Sequence, residues 1–294
     1  MIRWRGILWS IHPLFVLVML ASVMTGYFVE LLTLFGIVLV HELGHVIVAR
    51  GYGWTIREVK LLPFGGVAEV EDSGGLPAKE EAAVVLAGPL QNVWMGAAAW
   101  GLGQLGWWNN EWASYVVQAN IMIGVFNLLP ILPLDGGKML QVLLSRWLTY
   151  HQMLLWGARI SLLLSAGMVL YAFLPIIKAG GTGIQLNLLA VGIFLFMTNW
   201  TYNRNIPYLF LRFLTSRAAA STRHIVRGVW AQPIVVSKRH TVTAALRLFK
   251  RDQYHLIVVM EERGRIVAVL PEQRLVNGFL EDGKPDRAVC DLFM

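Results

Sequence analysis

The chain has 294 residues, of which 56% are hydrophobic and only 15% charged, with a formal net charge of +7. Its mean hydropathy is +0.56. A soluble domain this apolar has too little polar side chain to cover its own surface, and the chain carries a single cysteine, Cys290. These values exclude a disordered chain, a disulfide scaffold and an ordinary cytosolic enzyme, and leave a polytopic membrane protein. The charge is unevenly placed. Residues 1–202 carry ten Lys/Arg and ten Asp/Glu, whereas residues 203–294 carry fifteen and eight, so all the excess lies in the last third.

A transmembrane helix needs about 20 apolar residues. Six segments meet that need: Ile7–Met24, Leu31–Arg50, Glu81–Leu105, Trp112–Leu132, Leu154–Ile177 and Ile184–Tyr202. Lys and Arg gather in alternate connections. Arg3 and Arg5 lead the chain. Arg50, Arg57, Lys60 and Lys79 lie between the second and third spans, Lys138 and Arg146 between the fourth and fifth, and Arg204 and Arg212 after the last. By the positive-inside bias both termini are expected in the cytosol.

The connection Gly51–Ser73 holds two strand-like runs around Pro63-Phe64-Gly65-Gly66. It reads either as an amphipathic loop or as a hairpin dipping into the protein, where unpaired backbone is tolerated only against protein or a water cavity. In the second case a strand edge there can pair with an extended substrate.

The second span contains His41-Glu42-Leu43-Gly44-His45. Residues four apart share one face of a helix, so the two imidazoles can ligate one zinc ion and Glu42, beside that face, can take a proton from water. Leaving three such groups unpartnered in an apolar helix would be costly. A catalytic zinc has three protein ligands. Asp135, in Asn127-Leu-Leu-Pro130-Ile-Leu-Pro133-Leu-Asp135-Gly-Gly, is either a turn or cap aspartate or that third ligand.

His41-Glu42-x-x-His45 together with Asn127-x-x-Pro130-x-x-x-Leu134-Asp135-Gly136 resembles the two motifs of the site-2 proteases, the intramembrane zinc metalloproteases. Ala87-Gly88-Pro89-Leu90-Gln91-Asn92 is similar to that family's third-helix motif. The resemblance covers about residues 1–200. It implies that His41, His45 and Asp135 bind zinc, that Glu42 is the catalytic base, and that Asn127, Pro130, Pro133 and Asn92 lie near the site. With Leu61-Leu62-Pro63-Phe64-Gly65-Gly66 it narrows to the sporulation branch of the family. That branch implies a membrane-associated substrate, the precursor of the mother-cell sigma factor K, and a place in the membrane around the forespore, facing the mother cell. Phe64, Gly65 and Gly66 are then candidates for holding substrate, and membrane-protein regulators are expected. An anti-sigma factor or a signal-peptide remnant is the alternative substrate. A metal transporter, which would also place His and Asp in helices, is the alternative class.

From Arg204 to Arg251 there are ten Lys/Arg and no Asp/Glu. Residues 203–225 read as a basic linker, suited either to a solvated stretch or to an amphipathic helix on anionic lipid. No motif supports direct nucleic-acid binding. Residues 226–294 follow a small α/β pattern: a strand at Pro233–Val236, a helix at Thr241–Arg251, strands at His255–Met260 and Arg265–Leu270, and a helix at Glu272–Leu280. This resembles one CBS motif. A lone copy is a small core, which implies pairing between copies of the chain. CBS pairs often bind adenine nucleotides such as ATP. Here Pro271 and Arg274 stand where a hydroxyl residue and an aspartate usually do, although Arg274 can meet a phosphate. The expected architecture is therefore mainly α: a six-helix membrane domain (1–202) with a membrane-dipping hairpin, a linker (203–225) and a CBS-like α/β domain (226–294).

Overall fold

The computed structural model describes residues 2–4, 7–11, 19–20, 22–62, 65–70, 77–177, 183–227, 230–261, 264–282 and 287–293. Its contacts divide the chain into two compact units. The first comprises residues 1–72, 79–130 and 134–139, and the second comprises 73–78, 131–133 and 140–294. The main division falls at residue 140, well before the expected boundary at 203.

In the first unit, strands β1 (Ile2–Trp4) and β2 (Ile7–Ile11) precede helix α1 (Phe28–Gly51). Strands β3 (Ile56–Leu62) and β4 (Gly65–Val70) follow, then helices α2 (Ala78–Gln104) and α3 (Asn110–Asn127). The sheet order is β1-β2-β3-β4. Strands β3 and β4 form the expected hairpin, with Leu62 opposite Gly65 and Leu61 opposite Gly66. Strand β2 runs parallel to β3, with Leu8 opposite Glu58. This corrects the first expected span. Ile7–Ile11 is strand, and helix is described only from residue 19. A short apolar run carries no period that separates strand from helix, and here the exposed edge of β3 supplies the pairing.

Helices α1, α2 and α3 meet around Ile37, Ala99, Val116 and Ala119. Lower on α1, Val46 and Ala49 pack with Ile56 and Val84. Gly44 sets the approach of α1 to α2, since a Cβ there would lie 2.8 Å from the Ala87 carbonyl oxygen and 2.7 Å from Cγ of Gln91.

Helix α4 (Asp135–Leu144), which the sequence pattern did not predict, bridges the two units. The second unit continues with α5 (Tyr150–Ala172), the short α6 (Leu174–Ile177), α7 (Leu186–Arg204) and α8 (Ile206–Arg227). It ends with β5 (Ala231–Ser237), α9 (Val242–Leu246), β6 (Tyr254–Met260), β7 (Ile266–Pro271), α10 (Glu272–Asp282) and a final 3-10 turn (Val289–Leu292). Strand β6 is central, parallel to β5 and antiparallel to β7. Its alternate residues Ile257 and Val259 enter a core with Leu246, Phe249, Leu275 and Val276. The expected linker is helix α8, and its Phe210, Phe213 and Leu214 belong to that same core, so this apolar face packs on protein.

Among the described residues, three helices are long and apolar enough to cross a membrane: Phe28–Gly51, Ala78–Gln104 and Tyr150–Ile176. Helices α3 and α7 form at two further expected spans but do not meet that test. Asn110, Glu111, Gln118, Asn120 and Asn127 make α3 comparatively polar.

Candidate metal centre

Two motifs, with 89 residues between His45 of the first and Asp135 of the second, converge on one point. His41 and His45 share a face of α1, as their four-residue spacing requires. Asp135 is the first residue of α4. The Nε2 atoms of His41 and His45 are 3.2 Å apart, and each lies 3.1 Å from Oδ2 of Asp135. All three residues are buried. Among the described residues they are the one group of His, Cys, Asp and Glu side chains placed to hold a metal ion.

The hydrogen bonds settle which ring nitrogen faces inward. Nδ1 of His41 donates to Oδ1 of Asn92 over 2.9 Å, and Nδ1 of His45 donates to the Val84 carbonyl over 2.7 Å. Both Nε2 lone pairs therefore point at each other and at a carboxylate. A cation resolves this repulsion, and outward Nδ1–H bonds are the usual support of zinc-binding imidazoles. The spacing fits as well, because zinc bonds of about 2.0 Å in a tetrahedron put neighbouring ligand atoms about 3.3 Å apart.

Local sequence explains the convergence. Gly88 on α2 faces the two rings, and a Cβ there would collide with Nε2 of His45 and lie 2.7 Å from Cε1 of His41. Pro89, inside α2, has no amide to donate to the Val85 carbonyl, next to the Val84 carbonyl that meets His45. A Cβ on Gly136 would strike the Leu128 carbonyl at the end of α3, so glycine lets α4 start against that end. Lys138 makes a long ion pair with Oδ1 of Asp135 at 3.9 Å.

The remaining expected residues sort clearly. Glu42 is buried on α1 directly after His41. Asn127, the last residue of α3, places Nδ2 3.5 Å from Nε2 of His41. Gly65 and Gly66 open β4, whereas Phe64 lies outside the described residues. Pro130 and Pro133 are exposed in the turn before α4. In the second unit Ser161 and Asn199 grip that turn: the Leu132 amide donates to Ser161 Oγ over 2.9 Å, and Asn199 Nδ2 donates to the Leu132 carbonyl over 2.6 Å. Arg274 is exposed on α10 in the same unit. The sequence reading missed Asn120, whose carbonyl accepts from Asn92 Nδ2 over 3.2 Å, and also Asn199. Both are amides within apolar helices, and that is the signal that could have found them.

A buried His₂Asp cluster with both imidazoles on a helix able to cross a membrane is the arrangement an intramembrane zinc metallopeptidase needs. Comparison with known proteins agrees. Peptidase family M50 matches over residues 29–108 and 102–171. The chain is 32% identical to Stage IV sporulation protein FB of Bacillus subtilis, over 99% of both chains. It is 35% identical to Zinc metalloprotease MJ0392 of Methanocaldococcus jannaschii, over 48% of this chain and 42% of that one. The solved Site-2 Protease from Methanocaldococcus jannaschii superposes with a TM-score of 0.56 at 29% identity, covering 69% of this chain and 94% of that one. The chain belongs to Peptidase family M50, the site-2 proteases, and is an integral membrane zinc metalloprotease.

Proposed function

We propose that the protein hydrolyses a peptide bond in the membrane-associated precursor of a sigma factor during sporulation, at a zinc ion held by His41, His45 and Asp135. The observation that carries the chemistry is the pair of inward Nε2 lone pairs 3.1 Å from one carboxylate oxygen. The near full-length likeness to a sporulation protein supports the setting.

Zinc, when bound, polarises the scissile carbonyl and acidifies water. Glu42, buried next to His41, takes a proton from the attacking water and delivers it to the leaving amine. Asn92 and the Val84 carbonyl hold the two imidazoles in the tautomer that presents Nε2. Asn127, with its amide beside His41, is placed to orient the scissile carbonyl. Helical peptide bonds are internally paired, so the substrate must be extended. Strand β4, at the outer edge of its described sheet, offers backbone to pair with it.

The Lys/Arg distribution supports both termini in the cytosol, with α3 and α7 adding crossings to the three most apolar helices. The site then lies near the cytosolic end of α1, since His45 precedes Arg50 by five residues, about 7.5 Å along the helix. By resemblance the membrane is the one around the forespore. The small α/β unit fits a CBS-like module that pairs copies of the chain or docks substrate.

The test is reconstitution of the full chain in vesicles with a candidate sigma-factor precursor. Cleavage that stops with a chelator and returns with zinc supports the proposal. If that precursor stays intact while an anti-sigma factor or a signal-peptide remnant is cut, the chemistry stands and the substrate is reassigned.

A further inference from the structure

The turn that joins α3 to α4 delivers Asp135 to the metal centre. Pro130 and Pro133 bring no amide hydrogen to it. Ile131 and Leu132 between them are buried. Buried backbone outside a helix or strand needs partners of its own, most of all in apolar surroundings.

Leu132 finds both of its partners in side chains of the second unit, to which it belongs itself. Its amide donates to Oγ of Ser161 on α5 over 2.9 Å, and its carbonyl accepts from Nδ2 of Asn199 on α7 over 2.6 Å. The same nitrogen donates to the Leu195 carbonyl over 2.8 Å. Two carbonyl neighbours fix the orientation of this amide, because Oδ1 in place of Nδ2 would face two acceptors. Ser161 is 1% exposed and Asn199 0%. Polar groups are expensive in apolar helices, and here both are turned on one residue of the turn.

The two helices lie close together. A Cβ on Gly192 of α7 would come within 3.0 Å of Cγ2 of Val169 on α5. Leu132 is therefore held from two packed helices, three residues before Asp135. Three residues span about 10 Å at full extension. The Leu134 carbonyl, accepting from the amides of Gly137 and Lys138, closes the first turn of α4 directly afterwards. Little slack remains between the held residue and the carboxylate, whose Oδ2 lies 3.1 Å from both Nε2 atoms.

We propose that Ser161 and Asn199 are positioning residues for the metal centre: by holding the amide and the carbonyl of Leu132 they set where Asp135 meets the two histidines. The inference rests on the zinc site proposed above. It gives α5 and α7, which carry no metal ligand, a part in building that site.

The test measures the zinc affinity of the purified full chain by competition with a chromophoric chelator, with no substrate present. Ser161→Ala and Asn199→Leu each strand one backbone group of Leu132. Each should weaken zinc binding several-fold, less than the about 10–100-fold expected where a group bonded to a ligand is lost. Ser165→Ala is the matched control. Ser165 is buried one turn further along α5, but its hydroxyl donates to carbonyls of its own helix, those of Ser161 and Leu162. That variant should keep the unaltered affinity, and helicity by circular dichroism should be the same in all three. Unaltered affinity in Ser161→Ala and Asn199→Leu overturns the proposal. So does a loss shared by Ser165→Ala or matched by lost helicity, since the role is then merely structural. An unaltered chain that binds no zinc fails the metal site itself, and the proposal with it.

Discussion

His41 is held from both sides of its ring: Nδ1 donates to Oδ1 of Asn92 at 2.9 Å while Nε2 faces Asp135 at 3.1 Å. Asn92 is itself steadied by its bond to the Asn120 carbonyl. Replacing Asn92 with Ala should weaken zinc binding about 10–100-fold, the usual cost of losing such a support. Asn92→Asp keeps an acceptor and should retain more affinity. Competition with a chromophoric chelator measures both, and equal losses would count against the positioning role.

Gly88 is the second constraint. A methyl group there falls on the His45 ring, so Gly88→Ala should displace the imidazole and lower zinc occupancy and cleavage together, although alanine favours the helix. Metal content together with helicity by circular dichroism separates the two effects. An intact helix with full zinc would contradict the geometry.

The proposed catalytic base, Glu42, gives a different signature. Glu42→Gln keeps size and hydrogen-bonding capacity but cannot take the proton. Cleavage should fall to background while zinc stays bound. Measurable turnover by this variant would move the base elsewhere.

In the small α/β unit Arg217 lies 3.5 Å from Oε2 of Glu272, with both side chains largely buried. Its guanidinium also stacks over Phe213 and Phe249. Arg217→Ala leaves a buried carboxylate uncompensated, and should cost about 3 kcal/mol. Replacing Arg217 and Glu272 together by apolar residues should cost less. Urea denaturation of the full chain reads the difference.

His255 makes the same unit sensitive to acid. Its Nε2 accepts from the Lys250 amide over 3.2 Å, so the ring proton sits on Nδ1 and faces Glu272. Burial lowers its pKa from the ordinary value, with Glu272 offsetting part of that effect. The folded state thus binds the proton more weakly than the unfolded chain, whose histidine titrates near 6.5. Stability is full above about pH 6.5 and is lost as the pH falls through that value, until the lower folded pKa is reached. Amide exchange at Lys250 and His255, corrected for the intrinsic rate, should quicken on acidification from about pH 7 to about pH 5.5. An unchanged rate would contradict the tautomer.

The convergence of His41, His45 and Asp135 was legible in the sequence because of two strict constraints: the i, i+4 spacing of the two histidines, and the cost of placing ionisable groups in an apolar setting. The hairpin was legible from Gly65 and Gly66, and the β6 strand from its short apolar run His255–Met260. Other features depend on partners far along the chain. Ile7–Ile11 looked like the start of a helix because nothing local reveals pairing with Leu61 and its neighbours. Residues 203–225 read only as a solvated linker or a lipid-bound helix because the partners of Phe210, Phe213 and Leu214, such as Leu246 and Ile257, lie beyond the next turn. Asn92 carried no spacing to tie it to His41, 51 residues away.

The most direct test of the central claim is the zinc content of the purified full chain with Asp135→Ala, beside the unaltered protein. Asp135 comes from the second motif and alone completes the set begun by His41 and His45. The account predicts one zinc per unaltered chain and substantial loss in the variant. An undiminished stoichiometry in Asp135→Ala would remove Asp135 from the metal and contradict the site as built here.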